Sequence, residues 1–221
     1  MAPGWSVASS QAIRQLEESL AVAAENGSEL RDAILNGFEA ANQTVSELTG
    51  AATTLAVVEI QGREIRPYHV GDSMILAVGQ RGKIKLQTVS HSPVGYAVEA
   101  GFLDLDEAMH HEQRHLISNM IGSPEMHITI GPTLSLADRD TLLVASDGVS
   151  DNLHLDEIVE RIRKGPLRRV ARKLHEDCLS RMTVPLDGRP SKPDDLTFIV
   201  YRTESKAGRV SGNRSLTAAN V

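Results

Sequence analysis

Apolar residues recur at helical spacing through the first fifth of the chain, after which the period shortens to that of strands. Between Ser9 and Asn26, the residues Ala12, Ile13, Leu16, Leu20 and Ala23 keep helical spacing, which predicts a one-sided surface helix with Ser9 or Ser10 as N-cap and Gly27 as its stop. A second helix is expected from Ser28 to Leu48, with Leu30, Ile34, Phe38, Ala41 and Val45 on one face. After Gly50 the texture becomes β-branched. Thr53 to Ile60, Ile65 to Val70, Ser73 to Val78 and Ile84 to Val89 read as short strands joined by tight turns, an antiparallel meander. The stretch from His91 to Met120 has mixed periodicity and is expected to form short helices and loops over the sheet. Strands are predicted again at His127 to Ile130 and Thr141 to Ala145, helices at Leu155 to Arg163 and Leu167 to Met182, and a closing strand at Leu196 to Tyr201. From Thr203 onward the residues are small, polar and basic, so residues 1–202 are expected to form one domain and 203–221 a disordered tail.

Composition narrows the classes. A chain of 221 residues, 41% of them hydrophobic, suffices for one sizeable core. The formal charge of −6 and the pI near 5.8 speak against a nucleic-acid surface, which needs a clustered basic face. The lone Cys178 forms no internal disulfide, no apolar run reaches the length of a membrane span, and no charged-then-apolar leader opens the chain. A cytoplasmic protein without membrane contact is expected.

Three acidic motifs carry the candidate chemistry: Val70-Gly71-Asp72-Ser73, Ser146-Asp147-Gly148-Val149-Ser150-Asp151-Asn152, and Pro193-Asp194-Asp195-Leu196-Thr197. Each adjoins a strand-like run, so each puts hard oxygen ligands at a sheet edge, where Mg²⁺ or Mn²⁺ is preferred. Taken singly, each also has an ordinary explanation. Gly71-Asp72 reads as a hairpin turn, and Asp147-Gly148 as a helix N-cap. Asp147 and Asp151, four residues apart, share one side of a helical turn and repel unless a cation or helix dipole offsets them. Adjacent Asp194 and Asp195 pose the same problem at a strand entrance. A zinc site among His110, His111, His115 and His127 lacks a matching ligand set. His91 and His115 are read as loop or surface residues, and the basic run Arg161 to Lys164 with Arg168 and Arg169 as a solvated face.

In their order, spacing and flanking strands, these motifs resemble the metal-dependent protein phosphatases of the PPM (type 2C) family. His69-Val70-Gly71-Asp72-Ser73, the Asp147 motif and Lys192-Pro193-Asp194-Asp195-Leu196-Thr197 carry the likeness, with Gly50 to Leu55 and His91-Ser92-Pro93 as supporting context. The resemblance covers about residues 5 to 202. It implies an α+β fold, a four-layer αββα sandwich of two antiparallel sheets flanked by helix pairs. It implies hydrolysis of phosphoserine and phosphothreonine in phosphoprotein substrates by a water activated between two divalent ions. By the same resemblance Asp147 and Asp194 would be ligands of the main metal cluster, and Asp72 and Asp151 would join Asp147 around a third ion. Gly148 would lie against the bound cofactor, and Asp195 would cap local amides.

The family's upstream strand with an acidic ligand, its phosphate-gripping arginine and its bridging Asp-Gly motif have no counterpart here, and Met1 to Ser10 is similar to the sequence that follows that motif. An N-terminally truncated domain is therefore expected. The alternative to an active phosphatase is a catalytically inactive relative that binds proteins as a regulatory module.

Overall fold

Helix α1 spans Pro3–Asn26 and α2 spans Leu30–Ser46 in the computed structural model, which describes residues 3–184, 188–203 and 216–220. The two helices pack along their lengths through the buried stripe Ala8, Ala12, Leu16 and Ala23 of α1 and Ala33, Ile34, Phe38, Ala41 and Val45 of α2. Ile13, expected on the buried face, is exposed instead, because small Ala8 and Ala12 let α2 approach on the neighbouring stripe. Ser9 and Ser10 do not cap α1. They lie inside it, and their hydroxyls donate back to the Ser6 carbonyl, since the helix begins a turn and a half earlier than its apolar spacing indicates.

The expected meander divides between two sheets. Strands β1 (Leu55–Gln61) and β2 (Glu64–Val70) form a hairpin in the first, where β5 (Thr129–Ile130) and β6 (Leu134–Ser135) also pair with β2. Strands β3 (Met74–Val78) and β4 (Ile84–Gln87) belong to the second, whose order is β4-β3-β7-β8-β9 with β7 at Thr141–Ala145, β8 at Thr197–Arg202 and β9 at Leu216–Asn220. All pairings are antiparallel. Residues 216–220, within the tail expected to be disordered, form strand β9. Residues 204–215 and 221, the rest of that expectation, lie outside the described residues.

Gly71-Asp72 is thus a crossover from one sheet to the other and not a hairpin turn. Gly71 has φ of +105°, and a Cβ there would lie 2.3 Å from Thr54 Cγ2, so backbone angle and space both select glycine.

Ile65, Ile75, Ala77, Leu86, Leu136 and Leu142, from both sheets, fill the space between them. Outside the first sheet, α1 and α2 cover Leu55, Tyr68 and Val70. Outside the second, α5 (Asp147–Ser150), α6 (Leu155–Ile162) and α7 (Leu167–Thr183) cover Leu76, Leu143, Phe198 and Val200. The layers run helix pair, sheet, sheet, helices, as the αββα expectation requires. Short helices α3 (Pro93–Glu99) and α4 (Leu105–His110) lie in the stretch from His91 to Met120, where short helices and loops are expected. Two arginines of the basic run are half-buried in ion pairs at the end of α6: Arg161 binds Asp177, and the C-cap Arg163 binds Glu160.

Candidate metal centre

The sheet register builds one acidic corner from three distant segments. Met74 at the start of β3 pairs with Ala145 at the end of β7, and Ala145 pairs with Phe198 near the start of β8. Asp72 lies two residues before Met74, Asp147 two residues after Ala145, and Asp194 three before Thr197. All three therefore leave the same end of the second sheet. Asp151 joins them from the C-cap of the single turn α5, where its amide donates to the Asp147 carbonyl at 2.7 Å.

Asp147, Asp151 and Asp194 each offer a carboxylate oxygen such that all three lie within 4.8 Å of one another. Asp72 stands outside that triplet, yet its carboxyl feels both Asp147 and Asp151. Burial, then the Asp147 charge, raises Asp72 to about 6. Asp147 is raised too, by burial and then by Asp194. These carboxylates disfavour their own ionisation, which is what a site designed around added positive charge requires.

The chain supplies one such charge itself. Lys192 Nζ lies 2.5 Å from Asp151 Oδ2, 3.0 Å from Asp194 Oδ2 and 3.3 Å from Asp147 Oδ2. Burial alone would lower its ammonium, but hydrogen bonds to Asp151 and Asp194 outweigh that and raise it. With every group ionised, four carboxylates against one ammonium leave a formal −3. The donor set consists of hard carboxylate oxygens, and the uncompensated charge matches divalent cations such as Mg²⁺ or Mn²⁺.

Two backbone constraints hold the corner together. A Cβ on Gly148 would stand 2.2 Å from the Asp195 carbonyl oxygen, so only glycine lets the Asp147 turn lie against the Asp194 segment. Gly148 serves this close approach and contributes no side chain to a ligand. Asn152, fully buried, clasps the same two segments: its Nδ2 donates to the Gly148 carbonyl at 3.0 Å and the Lys192 carbonyl at 2.9 Å, and its Oδ1 accepts the Lys192 amide at 2.8 Å. Neither Asn152 nor Lys192 is assigned a role by the sequence reading, although both stand within its motifs. The backbone of Asp195 links the two segments: its amide donates to Asp194 Oδ1, and its carbonyl accepts Ser146 Oγ.

His91 lies in the loop before α3, as expected, but is buried rather than at the surface. It is 2% exposed and lies behind Gly71, stacked on His69 at 4.3 Å and tilted to His127 at 5.2 Å. The Ser-Pro that follows it starts α3, with Ser92 as N-cap, and this draws the histidine inward. The ligand triplet found among the described residues is all carboxylate and includes neither His110 nor His115.

A cavity of about 840 Å³ opens beside Asp72, Asp147 and Asp151. Its walls are mainly apolar, from Ile84 on β4, Val94 and Val98 on α3, Leu105 and Met109 on α4, and Ile158 on α6.

The Protein phosphatase 2C family matches residues 4–182. Protein phosphatase PhpP of Streptococcus pneumoniae is 32% identical over 137 residues, covering 59% of this chain and 55% of that protein. The chain thus spans about half the length of the curated relatives it matches. The serine/threonine phosphatase PstP/Ppp of Mycobacterium tuberculosis superposes with a TM-score of 0.72 at 25% identity, covering 90% of this chain and 83% of that one. The catalytic domain of PstP in complex with two manganese ions superposes with a TM-score of 0.64 at 25% identity, covering 86% and 78%. Among the described residues, no helix is long and apolar enough to cross a membrane.

Proposed function

Because the chain belongs to the protein phosphatase 2C family, we propose that its acidic corner binds Mg²⁺ or Mn²⁺ and serves the hydrolysis of phosphoserine and phosphothreonine in proteins. The observation that carries this reading is the convergence of Asp147, Asp151 and Asp194 within 4.8 Å at one sheet end.

Asp147 and Asp194 would hold the principal cations, and Asp72 and Asp151 a further one beside Asp147. Divalent ions so held neutralise phosphoryl oxygens and lower the pKa of bound water. The chain's own groups do the rest. Gly148 and Asn152 fix the separation of the Asp147 and Asp194 segments, and Lys192 offsets part of the negative charge that would repel a phosphate. The apolar cavity beside the carboxylates gives room for residues flanking the phosphorylated side chain. Phosphoproteins are the substrates on this reading; the net charge of −6 makes nucleic acid an unsuitable partner. A cytoplasmic setting, as expected from the sequence, is part of this proposal.

The test is hydrolysis of p-nitrophenyl phosphate and of a phosphothreonine peptide in Mn²⁺ by the folded chain, beside Asp147→Asn. Metal-stimulated turnover that disappears in the variant is expected. A folded chain with no metal-stimulated turnover, or turnover unchanged in the variant, overturns the assignment.

A further inference from the structure

Gly71, the residue before Asp72, is held by a buried imidazole. His91 Nδ1 accepts the Gly71 amide at 3.1 Å, and in return the His91 amide donates to the Gly71 carbonyl at 3.0 Å. Both polar groups of the Gly71 backbone are thus engaged by one residue. Asn119 adds a second donor to Nδ1 through its Nδ2 at 2.8 Å, and its orientation is fixed because Nδ2 also donates to the His127 carbonyl while Oδ1 accepts the His127 amide. With two N–H groups directed at Nδ1, that nitrogen carries the lone pair, and the proton belongs on Nε2, which donates to Thr129 Oγ1 at 2.9 Å. Thr129 lies on β5 of the first sheet, whereas Asp72 leads into β3 of the second. The imidazole therefore ties the crossover to the first sheet at the point where the chain leaves it.

We infer that His91 is a positioning residue for the cation site: as the neutral Nε2–H tautomer it holds the Gly71 amide and so aims Asp72 at Asp147 and Asp151. The inference rests on the proposed metal centre and goes beyond it, since His91 touches no carboxylate and would act through Gly71. Other elements around the imidazole contribute to its fixity. His69 stacks on it while donating Nε2–H to the Val89 carbonyl at 3.0 Å, and Tyr96 of α3 stacks at 6.2 Å. Ligand-supporting hydrogen bonds of this kind are typically worth 10–100-fold in metal affinity.

Two substitutions separate the arms of the ring. Asn places its Oδ1 near the position of Nδ1, whereas Gln reaches the position of Nε2 and leaves the Gly71 amide without its acceptor. Mn²⁺ binding to wild type, His91→Asn and His91→Gln is followed by the electron paramagnetic resonance signal of free Mn²⁺, with thermal unfolding in EDTA recorded alongside. The expected result is a Kd raised about tenfold or more in His91→Gln and within about threefold of wild type in His91→Asn. Equal shifts in the two variants, or none in His91→Gln, overturn the inference, whatever the changes in Tm. Nitrogen-15 NMR of the wild-type imidazoles covers the case in which a variant does not fold: Nδ1 of His91 is expected unprotonated, and a protonated Nδ1 overturns the inference. A wild-type chain that binds no Mn²⁺ overturns the metal reading itself and this inference with it.

Discussion

Acid should destabilise this fold through His91, and the size of the effect follows from its surroundings. Burial, followed by the neighbouring His69 and His127, lowers the imidazole from its ordinary 6.5 to about 4. Above 6.5 the ring is neutral in folded and unfolded chains alike and contributes no pH dependence. Below 6.5 the unfolded chain takes up a proton that the folded chain refuses until about 4, so stability falls as pH falls across that window. Between pH 7 and pH 5 the loss from this one group amounts to about 2 kcal/mol, approaching ~3 kcal/mol near pH 4. Asp72 acts with the opposite sign: raised to about 6, it is unfavourable when ionised in the metal-free protein, and protonation below 6 relieves it. A raw pH profile would mix the two. The informative quantity is the difference between wild type and His91→Asn, a side chain that does not titrate, measured by urea unfolding in EDTA at pH 7 and pH 5. The variant is expected to be less stable at pH 7, having lost the Thr129 hydrogen bond, yet to lose about 2 kcal/mol less than wild type on acidification. Parallel pH dependences in the two proteins would refute the buried neutral imidazole.

Three further outcomes test the corner. Gly148→Ala, whose Cβ would meet the Asp195 carbonyl oxygen at 2.2 Å, is expected to cost about 2–3 kcal/mol by calorimetry and to weaken Mn²⁺ binding; wild-type Tm and affinity would disprove the close approach. Because Asp72 sits near 6, Mn²⁺ binding at pH 5.5 should release protons that calorimetry in buffers of different ionisation enthalpy detects, and Asp72→Asn should reduce that release to the share of Asp147, whose carboxyl is also raised; an unchanged release would mean that Asp72 does not titrate with the site. Lys192→Met leaves Asp147, Asp151 and Asp194 facing one another, so Tm in EDTA should fall and the rise in Tm on adding Mn²⁺ should grow; an unchanged rise would mean that Lys192 does not compensate the cluster.

What the sequence revealed and what it concealed divide along the range of the interaction. Asp147 and Asp151 are four residues apart, and a helical turn alone brings them to one side, so their pairing is legible from spacing. That Asp194 joins them depends on β7 pairing with β8, some fifty residues on, and only the strand-like runs beside each motif carry that information. The fate of β2 and β3 was hidden for a similar reason. Two apolar runs joined by Gly-Asp look the same whether they fold back as a hairpin or part into different sheets. The partners that decide it, β5 and β6 for β2 and β7 for β3, come much later, and two of them are only two residues long. His91 was hidden because its burial depends on those same pairings. Its ring fills the gap that opens where β2 and β3 diverge, between Gly71 of the crossover and Thr129 of β5, and no local pattern of polar and apolar residues encodes that gap. The crossover thus demands two things of one turn, a glycine to make it and a ligand beside it aimed at the neighbouring loop. A glycine turn is conformationally free and would leave that ligand loosely aimed, so the buried imidazole restores from outside the rigidity that Gly71 gives up.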